Sequence, residues 1–211
     1  MAHKVVSKAE GNVRILSDVE PGERARELAA EHRKDPRLVQ VVLDESAEVI
    51  RAVHGTLICV TRHGFVCANA GVDQSNASGE GGEVVLLPEH PDRSAAALRS
   101  GIEAVRGVRP AVLIADSFGR AWRLGQTDVA IGAAGLAPLD QWIGRLDAMG
   151  RELHVTSIAV ADSIAAAADL ARAKDSLEPA VLVRGLERFV TAGDGSGAAA
   201  LRRPPEQDLF R

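Results

Sequence analysis

The chain has 211 residues, of which 46% are hydrophobic, enough for one large domain or two small lobes. A formal net charge of −4 leaves no basic footprint for nucleic acid, and no apolar run approaches the ~20 residues that a membrane helix needs. No signal peptide precedes Ser7, which points to a cytoplasmic protein, and the absence of tyrosine removes one class of general acid.

In chain order, MAHKVVSKAE (residues 1–10) reads as the end of a strand running into a polar turn at Gly11, with Val5 and Val6 needing a partner strand. Ser17-Asp18 with Pro21 signals a helix start, and a helix over 23–33 puts Ala25, Leu28 and Ala29 on one face. Asp35-Pro36 starts a second helix, whose apolar stripe runs through Leu38, Val41, Val42, Ala47, Val49 and Ile50. Residues 56–60 and 64–68 form a hairpin. It carries Cys59 and Cys67, which are expected reduced and buried. The Ser/Gly/Glu-rich residues 77–82 read as a mobile loop, 84–87 as a strand and 91–106 as a helix.

Residues 111–132, AVLIADSFGRAWRLGQTDVAIG, are the centre of the pattern. A buried strand over 111–115 ends in Asp116-Ser117. A loop with Gly119, Arg120, Trp122, Arg123 and Gly125 follows, then a second β-like run at 128–131. After Gly135 come a short helical segment around 141–148, an alternating strand over 152–160, an alanine-rich helix to Ala173 capped by Asp162, and a buried strand at 180–183. GDGSG (193–197) is a flexible turn, and the tail packs through Leu209 and Phe210. This alternation argues a mixed α/β architecture in a single domain over 1–211. It lacks the GxGxxG of a dinucleotide fold and the GxxxxGK[ST] of a P-loop.

A carboxylate and a hydroxyl at the end of a buried strand suit a hard cation, because the strand fixes them and the loop leaves room for substrate. Asp73 and Asn76 stand three apart in a Gly-flanked loop, where they either hold a divalent ion and a phosphate or form an Asx-turn pair. Asp116 completes a metal site from another strand end, or caps a turn. Arg120 and Arg123 clamp phosphates or a substrate carboxylate, or pair with surface acids. Gln126 and Asp128 line the same cleft, or Asp128 caps a strand start. Only 4 of the 25 basic residues are lysines, so Lys8 draws notice: near a turn it can neutralise a nucleotide phosphate, although a lone lysine by itself reads more simply as carrying no such role. His63 has no partners at zinc spacing, and there is no GxSxG.

Five stretches together resemble the coenzyme F-420-0:L-glutamate ligase family, the CofE γ-glutamyl ligases. They are KVVSKAEG (4–11), TRHGFVCANAGVDQSN (61–76), IADSFGRAWRLGQTDVAIGAAG (114–135), GRELHVTSIAVAD (150–162) and VLVRGL (181–186). The resemblance covers essentially the whole chain, and the second and third stretches are its specific part. It implies a two-lobed α/β ligase fold, an intertwined homodimer and a GTP-dependent reaction. F-420-0 would be activated as an acyl phosphate, L-glutamate would displace phosphate, and a second round would add a γ-linked glutamate. A catalytically impaired metal- and nucleotide-binding homologue of the same fold is the alternative.

By motif, the resemblance makes Asp73 and Asp116 metal-binding aspartates and Ser117 a ligand of the second metal. Lys8 and Asn76 become GTP contacts. Two Mg²⁺ or Mn²⁺ ions and a K⁺ ion are implied. The chain departs from the family in three places. A strand-helix segment with a GTP-contacting Gly-Leu-Pro is expected before Met1 and is lacking here. His3 stands where some members have a GTP-contacting Ser. Residues 172–178 hold Lys174 about where a metal-binding Glu is expected. The unpaired strand at Val5 and Val6 independently points to a homodimer through an exposed sheet edge.

Overall fold

A computed structural model describes residues 1–74, 82–172 and 175–208. The expected mobile loop at 77–81, together with Asn76, Ala173, Lys174, Leu209 and Phe210, lies outside the described residues. The chain divides into two compact units, one of Met1–Ala2, His90–Ser117 and Thr127–Arg211, the other of His3–Glu89 and Phe118–Gln126. Among the described residues no helix is long and apolar enough to cross a membrane.

The unit built on His3–Glu89 begins with helix α1 (His3–Ala9). Strand β1 (Val13–Ile15), helices α2 (Glu23–His32) and α3 (Pro36–Asp44), and strands β2 (Ser46–Val53), β3 (Thr56–Thr61), β4 (Val66–Ala68) and β5 (Glu83–Val85) follow. β2, β3 and β4 form an antiparallel meander in that order, and β1 pairs antiparallel with β5. β3 buries alternate residues, Leu57, Cys59 and Thr61. Leu57 and Cys59 pack against Ala25, Leu28 and Ala29 of α2 and Val39 and Val42 of α3. Cys59 and Cys67 face each other in the ladder as free, buried thiols, as expected. Asp35 caps α3 by accepting from the Arg37 N–H at 2.9 Å.

Two expectations fail here. Val5 and Val6 are helical: α1 buries His3, Val6 and Ser7, an i, i+3, i+4 face that outweighs the β-branched pair. The strand pairing lies just upstream, where Ala2 makes a parallel bridge to Ala115. The sheet-edge argument for a homodimer therefore falls. The second helix stops at Asp44, because Val49 and Val53 join the β2–β3 ladder.

The other unit contains helix α4 (Pro91–Arg106), the inner parts of strands β6 (Val112–Arg120) and β7 (Arg123–Ala134), whose outer ends from Phe118 to Gln126 are counted with the His3–Glu89 unit, strands β8 (Leu139–Gln141) and β9 (Ser157–Ala159), and helix α5 (Val160–Leu170). β6 pairs with β7, and β8 with β9. The expected loop after Asp116 is instead the outer half of the β6–β7 hairpin, turning at Ala121-Trp122. Both strands are exposed there, so no apolar alternation announces them; the backbone ladder holds them. Further in, β7 is buried continuously from Ala130 to Ala134. These small residues let α4 approach closely: a Cβ on Gly132 would lie 2.4 Å from the Pro91 carbonyl oxygen.

Two buried polar residues tie this unit together. Asp92, in the first turn of α4, accepts from the N–H groups of Ala133 (2.8 Å) and Ala198 (2.7 Å). Arg99, 1% exposed, donates to the carbonyls of Pro110 and Thr191 and pairs with Asp194 at 2.7 Å. The GDGSG turn is thus clamped at Asp194, and Gly197 packs where a Cβ would meet the Asp92 carboxylate at 2.3 Å.

Four expectations fail in this unit. The helical segment at 141–148 is β8 followed by turns, with Asp147 accepting from Met149 and Arg151. The strand at 152–160 shrinks to β9 plus a bridge at Glu152. Asp162 is not a cap; it lies in the first turn of α5 and accepts from Ala130 N–H at 2.9 Å. Residues 180–183 join no ladder and are largely exposed, Leu182 by 72%, because no described strand lies beside them.

Two glycines with opposite surroundings test this packing. Gly132→Ala should destabilise by about 1–3 kcal/mol, since neither β7 nor the α4 backbone can yield cheaply. Gly101→Ala, on the exposed middle of α4 with nothing within 4 Å, should stabilise by about 0.5–1 kcal/mol. Denaturant midpoints of the two variants check both signs.

Candidate functional site

In the α4–β7 unit the residues expected at the site, Asp116 and Ser117, stand where buried β6 passes into its exposed half. The Asp116 carboxylate accepts from the Ser117 backbone N–H at 2.8 Å. The Ser117 hydroxyl meets Oδ1 of Asp128 on β7 at 2.7 Å. Asp128 is 2% exposed, and its Oδ2 accepts from the Arg172 guanidinium, which also lies 3.7 Å from Asp169. Arg172 follows directly on the Ala171 C-cap of α5, where the helix dipole favours a cation. Asp128 thus neither caps a strand start nor opens to solvent; it lies within β7 with both oxygens engaged.

In the other unit Asp73 pairs its backbone with Val85, at 3.0 and 2.8 Å. Its Oδ2 accepts from Lys4 Nζ at 2.7 Å, each side chain about a quarter to a third exposed (26% and 30%). Lys8 stands one turn along α1 from Lys4, and residues four apart share a helix face. Asn76 lies outside the described residues. His3, where the resemblance implies a serine, is buried with Nδ1 3.4 Å from the Ser7 hydroxyl. Arg120 donates to the Leu124 carbonyl at 3.0 Å and closes the exposed hairpin tip that also carries Arg123 and Gln126. His63 sits against the Pro88 and Glu89 carbonyls at 3.0 and 3.2 Å and stacks on Phe65.

Among the described residues no three His, Cys, Asp or Glu side chains converge as a ready metal cage. The donors nevertheless suit hard cations: two carboxylates and a hydroxyl, with the soft thiols of Cys59 and Cys67 buried. Ser117 fits best, because its proton is directed to Asp128 and not toward a ligand.

The family model described as F420-0:gamma-glutamyl ligase matches residues 1–185. The chain is 43% identical over 212 residues to the coenzyme F420:L-glutamate ligase of Methanothermobacter thermautotrophicus, covering 100% of this chain and 83% of that protein. It is 44% identical over 213 residues to the ligase of that name from Methanopyrus kandleri, covering 100% of this chain and 84% of that one. This chain belongs to the F420-0:γ-glutamyl ligase family. A relative of the same name from Haloarcula marismortui is 43% identical over 219 residues, covering 100% of this chain and 82% of its own. The family match includes every site residue named above.

Sequence reasoning missed Lys4 and the Asp128–Arg172 pair. Lys4 carried a usable signal, since two of the four lysines lie four apart in KVVSK. Arg172 carried none, standing 44 residues from Asp128.

Asp162 of α5 reaches β7 by its bond from Ala130 N–H, two residues along the strand from Asp128, and is mostly buried there. Burial raises the Asp162 pKa above its usual value, partly offset by the Ala130 N–H bond. A carboxyl whose folded pKa is raised adds stability that is fully present below its unfolded pKa and lost as pH rises through the folded one. Asp162→Asn keeps an oxygen for Ala130 and removes that charge. It should therefore raise the melting temperature at neutral pH, with the gain shrinking toward acid pH. Melting curves of both proteins across that range check the sign.

Proposed function

We propose that this ligase is GTP-dependent, adding L-glutamate to coenzyme F-420-0 and then a γ-linked glutamate to F-420-1. The carboxylate of F-420-0 attacks the γ-phosphorus of GTP, forming an acyl phosphate and releasing GDP. The glutamate amine then attacks the acyl carbon and loses a proton, and the C–O bond to phosphate breaks, leaving an amide. The observation that carries this reading is that the chain aligns along its whole length with named glutamate ligases, with Asp73, Asp116 and Ser117 as oxygen donors within the matched residues. Such donors suit Mg²⁺ or Mn²⁺ on phosphate oxygens.

Asp73, Asp116 and Ser117 would hold two divalent ions, whose positive charge would offset the charge of the phosphoryl group. Lys8 and Asn76 bind GTP in this reading, with K⁺ as a further ion. Lys4 balances the Asp73 charge when no cation does. Arg120 and Arg123 are candidate contacts for substrate carboxylate or phosphate on a hairpin tip.

Phosphate release from GTP should require both F-420-0 and L-glutamate for full turnover. Tight GDP binding without turnover would instead mark an impaired homologue. Asp116→Asn and Asp73→Asn should each cut ligation by about a hundredfold or more. Their melting temperatures should stay close to wild type, and the double variant should be non-additive. Normal turnover in Asp116→Asn contradicts the metal assignment.

We also infer a homodimer in the cytoplasm. Its support is an open apolar groove of about 1160 Å³ lined by Leu113, Ile164, Val181, Leu182, Leu186 and Val190. Exposed apolar surface of this kind favours a partner over water. Light scattering at micromolar concentration should give a dimer, and Leu182→Asp should shift it toward monomer. A monomeric wild type contradicts the inference.

A further inference from the structure

We propose that Asp128, clamped by Arg172, is a positioning residue that fixes the Ser117 hydroxyl as a cation-ligating oxygen; the proposal rests on reading Ser117 as a ligand of a divalent ion. Asp128 is 2% exposed, and each of its oxygens has a partner, Ser117 on one and Arg172 on the other. A carboxylate only accepts, so in the 2.7 Å contact Ser117 is the donor. A hydroxyl has one proton. Once that proton is committed to Asp128, the oxygen meets anything else as an electron-pair donor.

The consequence for a cation is direct. A freely rotating hydroxyl spends part of its time with its proton facing the ion, where it repels. Ser117 is held out of those orientations, and the carboxylate behind it raises electron density on Oγ. This is how hydrogen-bonded neighbours commonly tune metal ligands.

Arg172 makes the arrangement possible. A carboxylate this deeply buried is costly without a counter-charge, and unbalanced it would draw a cation toward itself. The guanidinium engages Oδ2 and leaves Oδ1 for Ser117.

Asp128→Asn separates this role from simple packing. The amide has nearly the same shape, but Arg172 can only donate and so takes its oxygen. The amide NH₂ then faces Ser117 and donates to Oγ, which reverses the hydrogen bond and turns the Ser117 proton outward. The probe is Mn²⁺ titrated by paramagnetic resonance in the presence of GDP, with no turnover. Asp128→Asn should weaken Mn²⁺ binding by about 10- to 100-fold. Ser117→Ala should weaken it as well, and Asp128→Asn in the Ser117→Ala background should add nothing. Ser117→Thr should retain both binding and the sensitivity to Asp128→Asn.

Should Asp128→Asn fold poorly with an unbalanced guanidinium inside, the pair Asp128→Asn with Arg172→Gln removes both charges and should show the same loss. Wild-type Mn²⁺ affinity in the folded Asp128 variant overturns the proposal. So does an equal loss with and without the Ser117 hydroxyl, which is the outcome a packing role gives. Wild-type protein that takes up no Mn²⁺, or Asp116→Asn that binds it normally, overturns the metal reading beneath the proposal. Failure confined to the Asp128 arms leaves that reading standing.

Discussion

The buried carboxylate of Asp128 is the constraint that the α4–β7 unit must satisfy. A carboxylate at 2% exposure survives only if its charge is balanced and its lone pairs are used. Arg172 supplies the charge, and Ser117 uses the other oxygen. Removing one partner of such a buried pair typically costs about 3–5 kcal/mol, so the fold strongly resists its loss. The pair links β7 to the end of α5 and fixes the rotamer of a hydroxyl on β6.

Close approach of backbone supports this arrangement. β7 is mostly alanine and glycine along its buried half, Ile131 excepted, and at Gly132 the start of α4 comes nearly into contact with its main chain. Asp92 and Arg99 then satisfy backbone groups that this packing removes from water. The unit has few large apolar side chains in its core, where Ala130, Ala133, Ala161 and Ala198 meet Leu136. Buried polar staples therefore specify what a larger hydrophobic core would otherwise specify. The His3–Glu89 unit is built differently, with an alternating β3 face packed under two amphipathic helices.

Elements with explicit start and stop residues were legible in the sequence. α4 runs over the expected residues because Pro91 begins it and Gly107, at φ 67°, ends it. Elements decided by tertiary contact were not. α1 contains two valines that look β-like, yet burial of His3 and Ser7 decides for helix. The outer β6–β7 hairpin has no buried face to betray it. Residues 180–183 have a strand's composition but no described neighbour to pair with. Asp73, Asp116 and Ser117 could be singled out in the sequence because they stand in contiguous motifs. Lys4 and Arg172 were not singled out, since their roles arise from folding onto distant carboxylates.

In the α4–β7 unit a hydroxyl presented as an electron-pair donor adjoins a strand-end carboxylate, a pairing that suits hard cations. In the proposed ligation the substrate carboxylate becomes a leaving phosphate before the amine arrives. That order predicts the fate of a single oxygen atom. F-420-0 carrying heavy oxygen in its reacting carboxylate should be incubated with GTP and L-glutamate, and the released phosphate examined by mass spectrometry. The account predicts that one labelled oxygen appears in the phosphate for each amide formed. Glutamate-bearing product accompanied by unlabelled phosphate would contradict it.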